Sequence, residues 1–246
     1  MSYGPGVMPS QKIREMILNR VIIGDLPILD SQVQPASLDL RLSNKAVRVR
    51  ASFLAGRGVN VSERLKLFKM HEVDLSDGAV LEKGCVYVIP LMESIDLPLN
   101  LQAVCNAKSS TGRLDLLTRV ITNGGVEFDR VQSGYSGPLF VEICPRSFSV
   151  LVRPGMSLNQ IRFKGGSSIL SDKELQNLHK KEVLVSSDPH IDNGLGFSVD
   201  LKSNKKDLVG YRAKPHTGLI DLDKLSHYNP DDFWEKVTAR DGSLIL

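Results

Sequence analysis

The chain is poor in cysteine, and the few it has form no pattern. Cys85, Cys105 and Cys144 are an odd, widely spaced set with no Cys-x-x-Cys pair. That argues against a disulfide framework or a thiolate metal site and for reduced thiols acting as small buried hydrophobes. Long apolar runs are missing as well, so no stretch suits a membrane-spanning helix. The opening Met1-Ser2-Tyr3-Gly4-Pro5-Gly6 has neither the basic nor the apolar region of a secretion signal, and a cytoplasmic location is expected. Charge of one sign is scarce: 31 Lys and Arg against 28 Asp and Glu leave a net charge of +3, and no basic run exceeds the pair Lys205-Lys206. A dedicated nucleic-acid surface is therefore not indicated, while a locally basic pocket has room. The familiar catalytic signatures are absent too: there is no GxxxxGK[ST] loop, no GxGxxG after a strand, no GxSxG elbow and no HExxH. Histidines 71, 179, 190, 216 and 227 are scattered, and no His-x-Glu is followed by the Pro-Cys-x-x-Cys of zinc-dependent deaminases.

What is present is mostly strand. Its 246 residues suffice for one large domain or one and a half smaller ones. Ser10 is placed to N-cap a short helix in which Ile13, Met16, Ile17 and Val21 recur at helical spacing. From about Val33 the period becomes two: in "ASLDLRLSNK", Leu38, Leu40 and Leu42 point one way and Asp39 and Arg41 the other, which predicts a half-exposed strand. Further short strands follow in "VDLSDGAVLEKG", "CVYVIPLMESIDLP", "LQAVCNAKSS", "TRVITNGGVEF", "GPLFVEI" and "SVLVRPGMSLNQIRF", separated by Gly, Pro and Asn turns. Many short punctuated strands predict a mainly β barrel or sandwich with few helices. The segment "SDKELQNLHKKEV" breaks the rhythm with a capping box from Ser171 to Glu174 and predicts a connecting helix, with Leu175 and Leu178 on one face.

Beyond that helix the chain echoes itself. "FSVDLKSNK" at 197–205 repeats "ASLDLRLSNK" at 36–45, Ser198 and Ser37 being 161 residues apart, and "DKL" at 223–225 and "DGSLI" at 241–245 repeat "ERL" at 63–65 and "DGAVL" at 77–81 at offsets of 160 and 164. Three echoes in order predict a duplication. The expected organisation is therefore a first barrel at 1–168, a connecting helix and linker at 169–189, and an incomplete second repeat at 190–246. The chain is then expected to be either a fragment of a longer two-repeat protein or a barrel with a degenerate second unit, and the fragment is favoured, since a partial barrel leaves strand edges unpaired.

Two segments carry candidate chemistry. In "NAKSSTGRLDLL", Lys108, Ser109, Ser110, Gly112 and Arg113 bring two cations, two hydroxyls and a glycine into six residues, a composition that suits phosphate oxygens and equally an ordinary polar turn. In "RVQSGYSGPLFVEI", Glu142 puts a carboxylate among Phe140, Val141 and Ile143. It is either the outward residue of an edge strand, or neutralised by a buried arginine, or a general base. In an apolar wall its charged form is disfavoured and its pKa rises toward the range useful for moving protons.

"AKSSTGRL", then "GYSGPLFVEI", then "LVRPGMSLNQIRF", together with the "PASLDLRL" strand, resemble the deoxycytidine triphosphate deaminases of the trimeric deoxyuridine triphosphatase superfamily, over roughly residues 10–165. The resemblance implies a distorted dUTPase-like β-barrel, a homo-oligomer of barrels with sites between subunits, and zinc-free deamination with Mg²⁺ carried on the nucleotide triphosphate. It implies that Glu142 is the general base and acid, that Ser109, Ser110 and Arg113 bind phosphates and help orient the water, that Lys108 and Gln132 bind substrate, and that Arg130 lies near base and sugar. Departures exist: Lys108 stands where the family usually has arginine, and Gln132-Ser133 replaces an Asp-Pro pair. The segment between Arg113 and Arg130 is long for the family. Alternatives are a dUTP diphosphatase or bifunctional enzyme, for which Glu127 and Asp129 are the nearest acids, and a non-catalytic nucleotide-binding unit.

Overall fold

Short strands pair into two six-stranded sheets in the computed structural model, which describes residues 3–198 and 207–238. In the first sheet the order is Arg130–Val131, Leu101–Ala107, Ser157–Gly165, Ser37–Arg41 and Val33–Gln34, with Gly6–Val7 also on Ser157–Gly165. In the second it is Leu116–Thr122, Ser136–Pro145, Val86–Asp96, Lys45–Val49 and Lys69–Asp74, with Ile22–Gly24 on Val86–Asp96. All these neighbours run antiparallel, and a bridge from Leu42 to Leu91 links the sheets. The mainly β, distorted-barrel expectation is met. Two units separate by compactness, Met1–Gly166 with Pro215–Asn229, and Ser167–Lys214 with Pro230–Leu246. The second unit holds the helix Asp172–Lys181, whose Ser171–Glu174 capping box forms as the sequence predicts. Most of the "FSVDLKSNK" echo, and all of "DGSLI", lie outside the described residues.

Three local expectations are corrected. The first helix, Ser10–Leu18, begins after Pro9, so Ser10 is its first residue rather than its cap; it buries Ile13 and Met16, and Val21 lies beyond its end. The Ser37–Arg41 strand is buried on both faces, because Asp39 and Arg41 find ionic partners inside the protein instead of facing water. An unforeseen helix, Val61–Phe68, interrupts the strands; Glu63 reaches back to the Asn60 N–H at 3.4 Å. The thiols behave as expected in being free, with Cys105 and Cys144 buried and Cys85 half-buried.

The Arg41–Glu93 pair shows how such burial is tolerated. Glu93 has no exposed surface; its two oxygens accept from Arg41 Nε at 2.8 Å, the Arg41 N–H at 2.7 Å and Gln32 Nε2 at 3.0 Å. The rest of the Arg41 guanidinium donates to the carbonyls of Pro27 and Leu26 at 3.1 and 3.0 Å. Such a pair adds little over an apolar replacement, but removing one partner strands the other charge. Arg41→Met should cost about 3–5 kcal/mol in denaturant unfolding, while Arg41→Met with Glu93→Leu recovers most of it. Equal stability for the two variants would contradict the arrangement.

A strap from the later part of the chain closes the same unit. Ile220–Asp221 runs parallel to Val150–Val152, and Arg153 grips Asp221 at 2.7 and 3.1 Å and Asp223 at 2.8 Å, which holds the Asp221 carboxyl below its ordinary range. With Arg153→Ala, amide exchange should accelerate at Ile220 and Leu222, whose N–H groups donate to Ser149 and Leu151, and stay slow in the Ser136–Pro145 strand.

Candidate active site

Glu142 occupies the middle of the Ser136–Pro145 strand and is 2% exposed. On the neighbouring strand Arg119 is its direct cross-strand partner, so both side chains stand on one face. Arg119 Nε donates to Glu142 Oε1 at 3.1 Å, and Nη2 donates to the same oxygen and to Ser52 Oγ at 2.9 Å. The guanidinium lies over the Phe128 ring, 3.8 Å from its centroid, and is 29% exposed. Glu142 Oε2 is buried and makes no hydrogen bond among the described residues. Of the readings open for this acid, pairing with an arginine holds for one oxygen and leaves the other free.

The face is dry. Phe140 lies two residues from Glu142 on the same side of the pleat, Val88 lies opposite it, and both belong to an apolar cluster with Val47, Val49, Phe53 and Ile121. The 50–68 segment covers this cluster and is tied to the long 122–129 connection by three bonds of 2.9 Å. Gly56 N–H donates to the Gly125 carbonyl, Gly124 N–H to the Val59 carbonyl and Val61 N–H to Asn123 Oδ1. The same connection supplies Asp129, whose Oδ1 accepts from the Val120 N–H at 2.8 Å. Burial pushes the Asp129 carboxyl up; the Val120 N–H and Arg119 oppose the rise, and Glu142 adds to it.

The predicted phosphate residues sit elsewhere on the first sheet. Lys108–Arg113 folds as one tight turn: the Gly112 and Arg113 N–H groups donate back to Lys108 and Ser109, and Thr111 Oγ1 and the Lys108 N–H both donate to the Leu158 carbonyl. This leaves Ser109, Ser110 and Arg113 exposed, lining a shallow concavity of about 320 Å³ with Lys108, Asp39, Gln34 and Gln160. Lys108 Nζ is bound to Asp39 Oδ2, so its charge is already shared.

Arg130 and Gln132 line a separate concavity of about 240 Å³ with Asn123, Glu127 and Tyr135. Arg130 approaches Glu127 at 3.6 Å, but both are more than half exposed and the pair contributes little. Tyr135 shapes this hollow by donating to the Pro138 carbonyl at 2.6 Å while accepting from the Asn123 N–H at 3.2 Å. Gly137, at φ +151°, is required there: a Cβ would stand 3.1 Å from the Tyr135 hydroxyl. Since Arg130 pairs with Val104, four residues before Lys108 on one strand line, the two groups are about 13 Å apart along the sheet. Within one chain, then, Lys108, Ser109, Ser110 and Arg113 come together, Arg130 and Gln132 come together, and Glu142 lines neither hollow.

Sequence reasoning passed over Arg119 and the ionic role of Asp39. A signal for Arg119 existed: "LLTRVIT" is an apolar strand interrupted by one cation, the mirror image of "LFVEI" interrupted by one acid. Among the described residues no group of three or more His, Cys, Asp or Glu side chains is arranged to hold a metal ion.

Comparison with known proteins gives the family of the chain. A crystal structure of 2'-deoxycytidine 5'-triphosphate deaminase from Agrobacterium tumefaciens superposes with a TM-score of 0.91 at 48% identity, covering 97% of this chain and 72% of that one. A curated relative from Coprothermobacter proteolyticus named "dCTP deaminase, dUMP-forming" is 29% identical over 159 residues, 62% of this chain and 78% of the relative. A "dCTP deaminase" from Halorubrum lacusprofundi is 28% identical over 154 residues, 60% of this chain and 73% of the relative. Residues 4–167 match the model of the 2'-deoxycytidine 5'-triphosphate deaminase N-terminal domain and residues 171–246 that of its C-terminal domain, so the chain belongs to the dCTP deaminase family.

Proposed function

We infer that Glu142 is the proton shuttle with which this dCTP deaminase works in deoxynucleotide biosynthesis. The observation that supports this reading most is the division of labour within its carboxylate: Oε1 is held by Arg119, and Oε2 is buried with no partner among the described residues. Hydrolytic deamination needs such an oxygen. As a water oxygen bonds to C4 of the cytosine, Glu142 takes the water proton and passes it to ring N3; the C4–N bond then breaks, the amino group leaves as ammonia with the hydroxyl proton, and dUTP remains. An apolar face strengthens each charge interaction during that transfer.

Ser109, Ser110 and Arg113 are proposed to hold the phosphates of the Mg²⁺–triphosphate substrate, with the magnesium arriving as part of the nucleotide. Lys108 serves there once the incoming phosphate competes with Asp39. Arg130 and Gln132 are proposed to face the sugar and base. Because these hollows lie apart on one chain and Glu142 lines neither, a complete site on this reading forms between copies of the chain, in a trimer-like homo-oligomer. The free thiols suit a cytoplasmic setting. A second reading, deamination followed by release of pyrophosphate to give dUMP, is favoured by the names of several relatives, which are dUMP-forming.

With dCTP and Mg²⁺, the protein should release ammonia. Ammonia without pyrophosphate gives the first reading, equal amounts of both give the second, and binding with no turnover returns the chain to a non-catalytic role. Glu142→Gln should keep nucleotide affinity within about threefold and lower turnover at least about a hundredfold; undiminished turnover would remove Glu142 from the chemistry. Arg113→Ala should act mainly on KM, raising it about tenfold or more, through the loss of a charge-assisted phosphate contact.

A further inference from the structure

We infer that Arg119 is the positioning residue of the deamination reaction, the group that decides which oxygen of Glu142 meets the water. The inference rests on the reading of Glu142 as the proton shuttle. A glutamate side chain has three rotatable bonds and two equivalent oxygens, so an unconstrained one presents either to a reactant and loses orientation in doing so. Here the choice has been removed. Two guanidinium N–H groups, Nε and Nη2, converge on Oε1, a grip that a single ammonium cannot reproduce.

The guanidinium is itself held. Its backbone is in register opposite Glu142, Nη2 is shared with Ser52 Oγ at 2.9 Å, and its flat face rests on Phe128. Phe128 comes from the long 122–129 connection and Ser52 from the 50–68 cover, the two segments bonded to each other through Gly56, Gly124 and Val61. The 122–129 connection thus supplies, through Phe128, a platform for Arg119. Arg119 is the half-exposed member of the pair and Glu142 the buried one, so Arg119 also stands on the solvent side of the acid.

A purely structural ion pair would predict loss of stability and nothing more. A positioning role predicts a change in the chemical step. A buried carboxylate deprived of its cation is driven toward its protonated form, which cannot accept the water proton, so the acid side of the kcat–pH profile moves to higher pH. Among the described residues the other titratable groups coupled to the pair are Asp129 from the 122–129 connection and Cys144 farther along the Ser136–Pro145 strand, with Arg146 and Cys85 beyond it; Val88 and the cluster residues beside the pair are neutral.

The experiment is steady-state kinetics of the full chain with dCTP and Mg²⁺ between pH 5 and pH 9, on wild type, Arg119→Gln, Arg119→Lys, Asp129→Asn and Glu142→Gln, with melting curves beside each. Arg119→Gln should lower kcat about 10- to 100-fold, leave KM within about threefold and raise the acid limb. Arg119→Lys, which keeps the charge but loses the two-pronged grip, should return the acid limb toward wild type while kcat stays several-fold low. Asp129→Asn should leave the limb in place; if it abolishes the limb, the titration belongs to Asp129 and the inference falls. Unchanged kcat and profile in both Arg119 variants, with only the melting temperature lowered, makes the pair structural and overturns the inference. Should Arg119→Gln fail to fold, Arg119→Lys carries the decision by the same two readouts. Full turnover in Glu142→Gln would instead sink the underlying reading, whatever the Arg119 variants do.

Discussion

An acid stands in the middle of a buried strand here only because a cation stands directly across from it. Moving a lone carboxylate into an apolar face costs several kcal/mol, more than a marginal fold tolerates without compensation. The Leu116–Thr122 and Ser136–Pro145 strands supply the compensation through register alone, pairing Arg119 with Glu142. A slip of one residue would turn every side chain to the other face and leave both charges stranded in apolar surroundings. The pair therefore ties the alignment of two core strands to the placement of the one acid proposed to do chemistry.

Other features of the first unit keep that alignment fixed. Arg41 and Glu93 repeat the same solution between two other strands, with every Glu93 oxygen satisfied and the entering chain at Leu26 and Pro27 bound to the same guanidinium. The contrast is informative. Glu93 has both oxygens committed and is structural; Glu142 has one oxygen committed and one without a partner among the described residues. A half-satisfied buried carboxylate costs stability, a state that Asp39 shares through its Oδ1; on the proposed reading the free oxygen of Glu142 is the one that meets the water.

The sequence showed the β character, the capping box at Ser171 and the oddness of Glu142, because each is local: period two, a Ser-x-x-Glu spacing, and a charge inside an apolar run. It misjudged the Ser37–Arg41 strand, since alternation of Leu with Asp and Arg describes a strand with one wet face just as well as one whose polar residues meet partners inside. Only tertiary pairing, to Lys108 and Glu93, tells the two apart. Arg119 was missed for the same reason: "LLTRVIT" and "LFVEI" each hold one charge, but their register depends on a connection whose length no local rule predicts. The Val61–Phe68 helix escaped because its apolar face is short and only Val61 is fully buried. The candidate nucleotide residues were legible as composition, whereas their separation into two hollows about 13 Å apart follows from sheet topology.

On the proposed reading the free oxygen of Glu142 faces C4 of a bound cytosine. This placement is tested most directly by a structure of the Glu142→Gln protein, assembled as in solution, with dCTP and Mg²⁺ bound. The account predicts the cytosine C4 beside the side-chain amide of residue 142, within reach of one bridging water, with Arg119 still on the opposite atom of that group. A nucleotide bound in the Lys108–Arg113 hollow with its base directed away from residue 142, and residue 142 still sealed beneath Arg119 and Phe128, would contradict it.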